Sequence, residues 1–238
     1  MTTERSVAIK ANVESVERRI VAACQRVGRD RGDVTVVAVS KRFPIEDIAR
    51  AYDAGVRDFG ENRVQELLEK MTEWERSFPD RPVTWHMVGH LQRNKVGAVV
   101  GRVPIFHGLD SMRLADAINR VALSGGITYP CLLQVNVSGE ESKFGFSGHE
   151  VDAALEGLRS YEGISIKGLM TLARPADDPE DVRADLAKLR SLFERSQAVY
   201  DHSLAVLSMG MSGDFEVAIE EGSTHVRLGT SIFGDRPA

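Results

Sequence analysis

Apolar positions along this chain fall into two alternating kinds of segment. Short runs rich in β-branched residues, such as Val34-Thr-Val-Val-Ala-Val-Ser40 and Cys131-Leu-Leu-Gln-Val-Asn-Val137, show no clean alternation of apolar and polar residues. Between them lie longer stretches whose apolar residues recur every three or four positions. The first pattern is that of parallel strands covered on both faces, the second that of amphipathic helices. Strands are predicted at Val34 to Ser40, Val56 to Gly60, Val83 to Val88, Pro104 to Leu109, Pro130 to Val137, Ile164 to Leu172, Leu204 to Met209 and His225 to Gly229. An opening helix precedes them, with a stripe of Ile9, Val13, Val16, Ile20, Cys24 and Val27 that stops at Gly28. The clearest later helix runs from about Pro179 to Tyr200: Asp178 is its N-cap, proline takes the first position, the first turn is acidic, and Val182, Leu186, Leu189 and Phe193 share one face.

A βα unit repeated eight times predicts an α/β fold, a single (β/α)8 TIM barrel with an additional N-terminal helix. An open doubly wound sheet would give the same apolar runs. The strand count of eight and the lack of a Gly-x-Gly-x-x-Gly after the first strand favour closure. At 238 residues the chain fits one such barrel, which takes about 250. With no composition break, linker or low-complexity tract, residues 1–238 are expected to form one domain, residues 1–30 being the helix packed on the barrel.

The 30 Lys+Arg are scattered among 35 Asp+Glu for a net charge of -5, which argues against a nucleic-acid partner. Cys24 and Cys131 lie far apart, outside any metal-type spacing, and are expected to be small core residues in a reducing compartment. The N-terminus has no apolar run resembling a signal peptide, and no stretch approaches the roughly 20 apolar residues of a membrane span. A cytoplasmic protein without a membrane partner is expected.

Candidate chemistry begins at Lys41. A buried strand that ends in an amine places that amine at the C-terminal mouth of the barrel, where a partly desolvated lysine can lose its proton and attack a carbonyl. A solvated lysine that merely follows a strand is the alternative. The far end of the chain changes the balance. Leu207-Ser-Met-Gly-Met-Ser212-Gly213-Asp214 follows the seventh strand and leads into a short helix, Asp214 to Glu221, closed by Gly222. Glycines let backbone N–H groups approach a ligand, and Ser212 offers a hydroxyl. Gly229-Thr230-Ser231 forms a second small-residue turn after the eighth strand. Loops after strands seven and eight are the usual phosphate cradle of this fold. When the ring closes, strand eight neighbours strand one, so the ligand should carry an aldehyde or ketone together with a phosphate. Pyridoxal 5′-phosphate (PLP) has both, and Arg227 in the last strand could face its pyridine nitrogen; a salt-bridged core arginine is the other reading.

Val39-Ser-Lys41, Phe59-Gly-Glu-Asn62-Arg-Val-Gln65-Glu, Trp85-His86-Met-Val-Gly89-His-Leu-Gln92-Arg-Asn94-Lys95, Lys167-Gly-Leu-Met170-Thr, Ser208-Met-Gly-Met-Ser212-Gly-Asp214 and Glu221-Gly-Ser-Thr-His-Val-Arg227-Leu-Gly-Thr230-Ser-Ile-Phe-Gly234 together resemble the YggS/PROSC family of PLP homeostasis proteins. The resemblance spans nearly the whole chain. It implies a barrel like the N-terminal domain of alanine racemases, PLP held as an imine on Lys41, phosphate contacts from Ser212, Gly229 and Thr230, and Arg227 near the pyridine nitrogen. It also implies that Asn62, His86 and Met209 line the same pocket. Arg63, where an aromatic is common, and Leu172-Ala-Arg-Pro are departures confined to loop shape.

Other residues carry weaker signals. His86 and His90 lie four apart, yet a strand end and an intervening glycine argue against a metal pair, and no metal is expected. Lys143 is either a second amine that receives PLP, as the resemblance hints, or a solvated loop lysine beside Glu140 and Glu141. Trp74 and Trp85 read as packing residues. Glu61 and Asp214 could act as bases, or Glu61 could cap a helix beginning near Asn62.

Three functions compete. A non-catalytic PLP carrier would buffer the aldehyde and pass it transiently to apo-enzymes. A PLP-dependent racemase-like enzyme would need a second base, served in alanine racemases by a tyrosine from a separate β-domain. The chain ends at Ala238, soon after the last barrel motif, and none of Tyr52, Tyr129, Tyr161 and Tyr200 falls at a predicted strand mouth. An arginine at the ring nitrogen would also disfavour its protonation and weaken the electron sink. In a Schiff-base aldolase, Lys41 would attack the substrate itself. The carrier is the favoured expectation, and without a β-domain contact a monomer is expected.

Overall fold

The computed structural model describes residues 2–140, 143–200 and 204–235. Eight parallel strands form a closed ring: β1 (Thr35–Val39), β2 (Asp58–Glu61), β3 (Thr84–Met87), β4 (Ile105–Leu109), β5 (Tyr129–Asn136), β7 (Ile164–Met170), β8 (Val206–Ser208) and β9 (His225–Leu228). A two-residue strand, β6 (Phe146–Ser147), adds to β5 outside the ring. The first strand pairs with the second (Val39↔Gly60) and the last (Val37↔Arg227), and β4 pairs with β5 (Phe106↔Cys131), which closes the barrel. Observed strands are mostly shorter than predicted at their ends. The second begins at Asp58 rather than Val56, because Val56 N–H is still bonded back to Ala51 O in the turn that ends α2 (Ile45–Asp53).

The other helices are α1 (Thr2–Arg26), α3 (Val64–Ser77), α4 (Val96–Val99), α5 (Met112–Ser124), α6 (Val151–Leu158), α7 (Arg183–Val199), α8 (Phe215–Glu220) and α9 (Thr230–Phe233). Asp178 does cap, but what it opens is a 3-10 turn over Pro179–Val182 that passes into α7. The acidic stretch thus begins as a tighter helix before the stripe of Leu186, Leu189 and Phe193 takes hold against the barrel. The opening helix lies against α2, α8 and α9. Ile9, Ile20 and Cys24 are buried there, and Arg5–Asp47 (2.7 Å) and Arg26–Glu220 (2.6 Å) ion pairs flank them. Val27 drops off the stripe and is exposed, since α1 ends at Arg26 and Gly28 turns the chain with φ +67°. No helix among the described residues is long and apolar enough to cross a membrane.

Between barrel and helices the core is apolar and aromatic. Trp74 and Trp85 are buried beside Phe59 and Phe78, with Trp74 and Phe78 rings 4.7 Å apart. Cys24 and Cys131 are buried and not disulfide-bonded, and burial pushes both thiols up. Inside the ring the composition changes. His86, His107, Ser208 and Arg227 are all buried, so each polar atom there needs a partner.

Candidate functional site

A cavity of about 420 Å³ opens at the C-terminal ends of the first and last strands, within the range of small-molecule sites. It brings together Lys41, Asn62, Ser212, Arg227, Gly229 and Thr230, walled by Val39, Val88, Leu172 and Met211. A larger groove of about 700 Å³, between α1 and the opposite ends of β1 and β2, contains none of these residues.

Lys41, half-buried, follows β1 in a turn closed by Phe43 N–H bonding Ser40 O at 3.0 Å. On the facing side Ser212 Oγ accepts from the backbone N–H groups of Gly229 and Ser231, both at 3.2 Å. Ser212 therefore stitches the β8–α8 loop to the β9–α9 turn. Gly210 makes that loop possible: its φ is +95°, and a Cβ there would stand 2.6 Å from Ala218 Cβ. Asp214 is bent back to accept from Met211 N–H at 2.5 Å. The carboxylate expected as a possible base thus holds the loop, with its pKa raised by burial.

Arg227 projects from β9 into the cavity floor and is 4% exposed. Its Nη1 donates to Ser208 Oγ at 2.5 Å and its Nη2 to Thr171 O at 2.7 Å. These are neutral acceptors, so no carboxylate takes up its fork. Burial lowers its pKa to about 10, against the pull of Asp214, and the group stays cationic at neutral pH.

Two residues that resemblance brings to the pocket are not on its walls. His86 is buried and turned inward, its Nδ1 3.0 Å from His107 Nε2 and its Nε2 3.0 Å from Asp58 Oδ1. Val88 reaches the cavity, and His86 lies two residues earlier on the same face, one layer deeper by about 6–7 Å. Met209, next to inward-facing Ser208, is fully buried in the apolar core with Leu207 and Phe215, and Met211 forms the wall. His86 still communicates with the site. His107 Nδ1 is 3.0 Å from Ser208 Oγ, which completes a chain from Asp58 through His86, His107 and Ser208 to Arg227. An ionised carboxylate only accepts, so when each histidine carries a single proton every bond in the chain points the same way. Ser208 donates to His107 Nδ1, and both histidines carry their proton on Nε2. Burial holds His107 well below its ordinary pKa, with His86 and Arg227 adding to the effect. Burial likewise lowers neighbouring His225 to about 4.

Glu61 neither caps a helix nor faces the cavity. It is the last residue of β2, fully buried, 2.7 Å from both Lys70 Nζ and Ser40 Oγ, and α3 starts only at Val64. Burial raises its pKa while Lys70 pulls it back. His90 stands apart from His86, bonded to Asp110 at 2.7 Å and stacked on Phe144. No cluster of metal-ligating residues occurs among the described residues. Lys143 does not line the cavity; its Nζ pairs with Glu140 Oε1 at 2.8 Å and reaches Ser138 Oγ at 3.3 Å, while Glu141 lies outside the described residues. The four tyrosines are also elsewhere: Tyr129, for example, opens β5 at the opposite end of the ring.

Comparison with known proteins agrees with this architecture. The family model for the alanine racemase N-terminal domain matches residues 8–237. A pyridoxal phosphate homeostasis protein of Aquifex aeolicus is 42% identical over 221 residues, 93% of this chain and 95% of that one. The chain belongs to the pyridoxal phosphate homeostasis family. PipY of Synechococcus elongatus, solved with PLP bound, superposes on this family member with a TM-score of 0.78 at 34% identity, covering 92% of this chain and all of that one. A Bifidobacterium adolescentis protein described as unknown superposes with a TM-score of 0.92 at 38% identity, covering 97% and 96% of the two chains.

Proposed function

We propose that this protein binds PLP in the Lys41 cavity as a Schiff base and serves intracellular PLP homeostasis without catalytic turnover of its own. One observation carries the reading: an amine, a stitched pair of small-residue turns and a buried guanidinium line a single cavity. The donors fit the group. Lys41 would supply the amine for an aldehyde; the Ser212 hydroxyl, which accepts from Gly229 and Ser231 N–H and keeps its own proton to donate, would together with Thr230 hold the phosphate; Arg227 would supply a cation to a ring nitrogen. When bound, the cofactor would contribute a carbonyl carbon that condenses reversibly with an amine. Asn62, beside Lys41, would flank the ring, and His86 would act through Arg227 rather than by contact.

The absence of turnover follows from the same groups. A guanidinium that keeps its proton leaves a facing ring nitrogen without one, which weakens carbanion stabilisation. Among the described residues no tyrosine lines the cavity to serve as a second base. We further infer a single-domain, cytoplasmic monomer that passes PLP transiently to apo-enzymes; relatives that carry the PLP homeostasis name support that role.

The deciding experiment is a visible spectrum of the protein with added PLP, before and after borohydride. An imine band that borohydride fixes on Lys41 is expected. A spectrum indifferent to PLP would favour the aldolase, and fast exchange of amino-acid α-hydrogens in deuterated water would favour the racemase-like enzyme.

A further inference from the structure

Lys41 is flanked on both sides by bonds to one buried cluster. Before it, Ser40 O accepts from Lys70 Nζ at 2.8 Å and Ser40 Oγ donates to Glu61 Oε1 at 2.7 Å. After it, Arg42 N–H donates to Glu66 Oε1 at 2.6 Å. Lys70 closes the set: besides Ser40 O, its ammonium donates to Glu61 Oε1 and Glu66 Oε1, each at 2.7 Å, so all three of its protons are used. Glu66 and Lys70 are one turn apart on the same face of α3.

The backbone between those bonds is unusual. Arg42 has φ +66°, the only positive value at a non-glycine among the described residues, in a turn whose third position favours glycine or asparagine. Such conformations persist only where the surroundings over-determine them, and they gather at functional sites. An ordinary stabilising ion pair would leave the chain free to relax at this point. Here the pair's remaining donor and acceptor are spent on the peptide groups that set the direction of the Lys41 side chain.

We propose that Glu66 and Lys70 are positioning residues for Lys41, a clamp that fixes the turn so that the amine meets the carbonyl carbon of the ligand. The proposal rests on the Schiff-base reading above. In that step Lys41 Nζ and the aldehyde carbon form a C=N bond and release one water. The clamp acts through the backbone of residues 40 to 42.

The test uses two probes on the full-length protein. PLP reports both binding and condensation through its absorbance. Pyridoxine 5′-phosphate, with an alcohol in place of the aldehyde, reports binding alone by calorimetry. Glu66→Ala is expected to slow imine formation at least tenfold while the dissociation constant for pyridoxine 5′-phosphate stays within twofold. Glu66→Gln, which keeps an oxygen opposite Arg42 N–H, should recover much of the rate. Lys70→Met should repeat the Glu66→Ala result; because it also disturbs a buried charge, the half-buried Glu66 variants decide the matter. Equal weakening of both probes, or unchanged imine formation in Glu66→Ala, would overturn the clamp while leaving the Schiff-base reading intact. A wild-type protein that binds both probes but never forms an imine would overturn that reading and the clamp with it.

Discussion

The Lys70→Met substitution makes a quantitative prediction about stability. Lys70 is the ion-pair partner of Glu61, whose side chain is fully buried and whose Oε2 has no hydrogen-bond partner. Breaking a buried ion pair from one side typically costs about 3–5 kcal/mol, because the surviving charge is left uncompensated. Glu61 has an escape, which is to take up a proton. Its pKa is already raised by burial, and the largest opposing influence is Lys70, so the variant pushes it further up. A carboxyl kept neutral in the folded state, with an unfolded pKa of about 4.3, costs about 3.7 kcal/mol at pH 7 but only about 1 kcal/mol at pH 5. For an acid with a raised folded pKa, stability is fully present below the unfolded value and is lost as pH rises through the folded one. Because wild-type Glu61 already bears part of this cost, the variant should trail wild type by at most about 3–4 kcal/mol at pH 7, and most of that gap should close by pH 5. Urea unfolding followed by circular dichroism at pH 5, 6 and 7 measures the gap directly. A deficit that does not change with pH would refute the assignment to Glu61. Adding Glu61→Gln to Lys70→Met should flatten the pH dependence, since no carboxylate is then left to titrate there.

Other expectations follow from the same geometry. Lys41→Ala should abolish the imine band but leave weaker, phosphate-anchored PLP binding; a surviving band would assign the attachment to another lysine. Ser212→Ala should weaken PLP retention by about 1–2 kcal/mol if its hydroxyl bonds phosphate, and an unchanged affinity by equilibrium dialysis would remove it from the cradle. Gly89→Ala would drive a Cβ to 2.4 Å from Asn62 O, an overpacking that should cost about 1–3 kcal/mol of stability and weaken PLP binding; thermal unfolding at wild-type temperature would contradict it. Nitrogen-15 NMR should find His86 and His107 both protonated on Nε2, and Asp58→Asn, which can donate to His86, should shift the tautomer of His107 two bonds away. An Nδ1-protonated histidine in the wild type would break the one-way chain.

Much of the architecture was legible because each layer of a parallel barrel leaves its own mark on the sequence. The eight strands, the stripe of α1 up to Cys24 and the cap at Asp178 appear in the structure, and Lys41, Ser212, Gly229 and Thr230 line one cavity. What escaped is depth. A motif fixes neither the layer nor, near an irregular strand end, the face of a residue: His86 and Met209 were expected to line the pocket, whereas Val88 and Met211 are on its wall and Met209 packs in the apolar core. The polar barrel interior was equally hidden. Asp58, His107 and Ser208 are ordinary residues in sequence, and only ring closure aligns them with Arg227. Glu61 looked like a base or a cap because its partner Lys70 lies nine positions on, across a strand end and a turn. One signal was available: a lysine one turn after Glu66 on the inward face of α3 is a charge that must be answered from the barrel.

The seam between β1 and β9, registered Thr35 to His225 and Val37 to Arg227, has a consequence for biosynthesis. Lys41 leaves the ribosome early, whereas Arg227 and the turn beyond it follow about 190 residues later, a delay of about 10–40 s at typical translation speeds. Throughout that interval the two walls of the cavity are not yet together. On the proposed reading, cofactor capture is therefore a post-translational event.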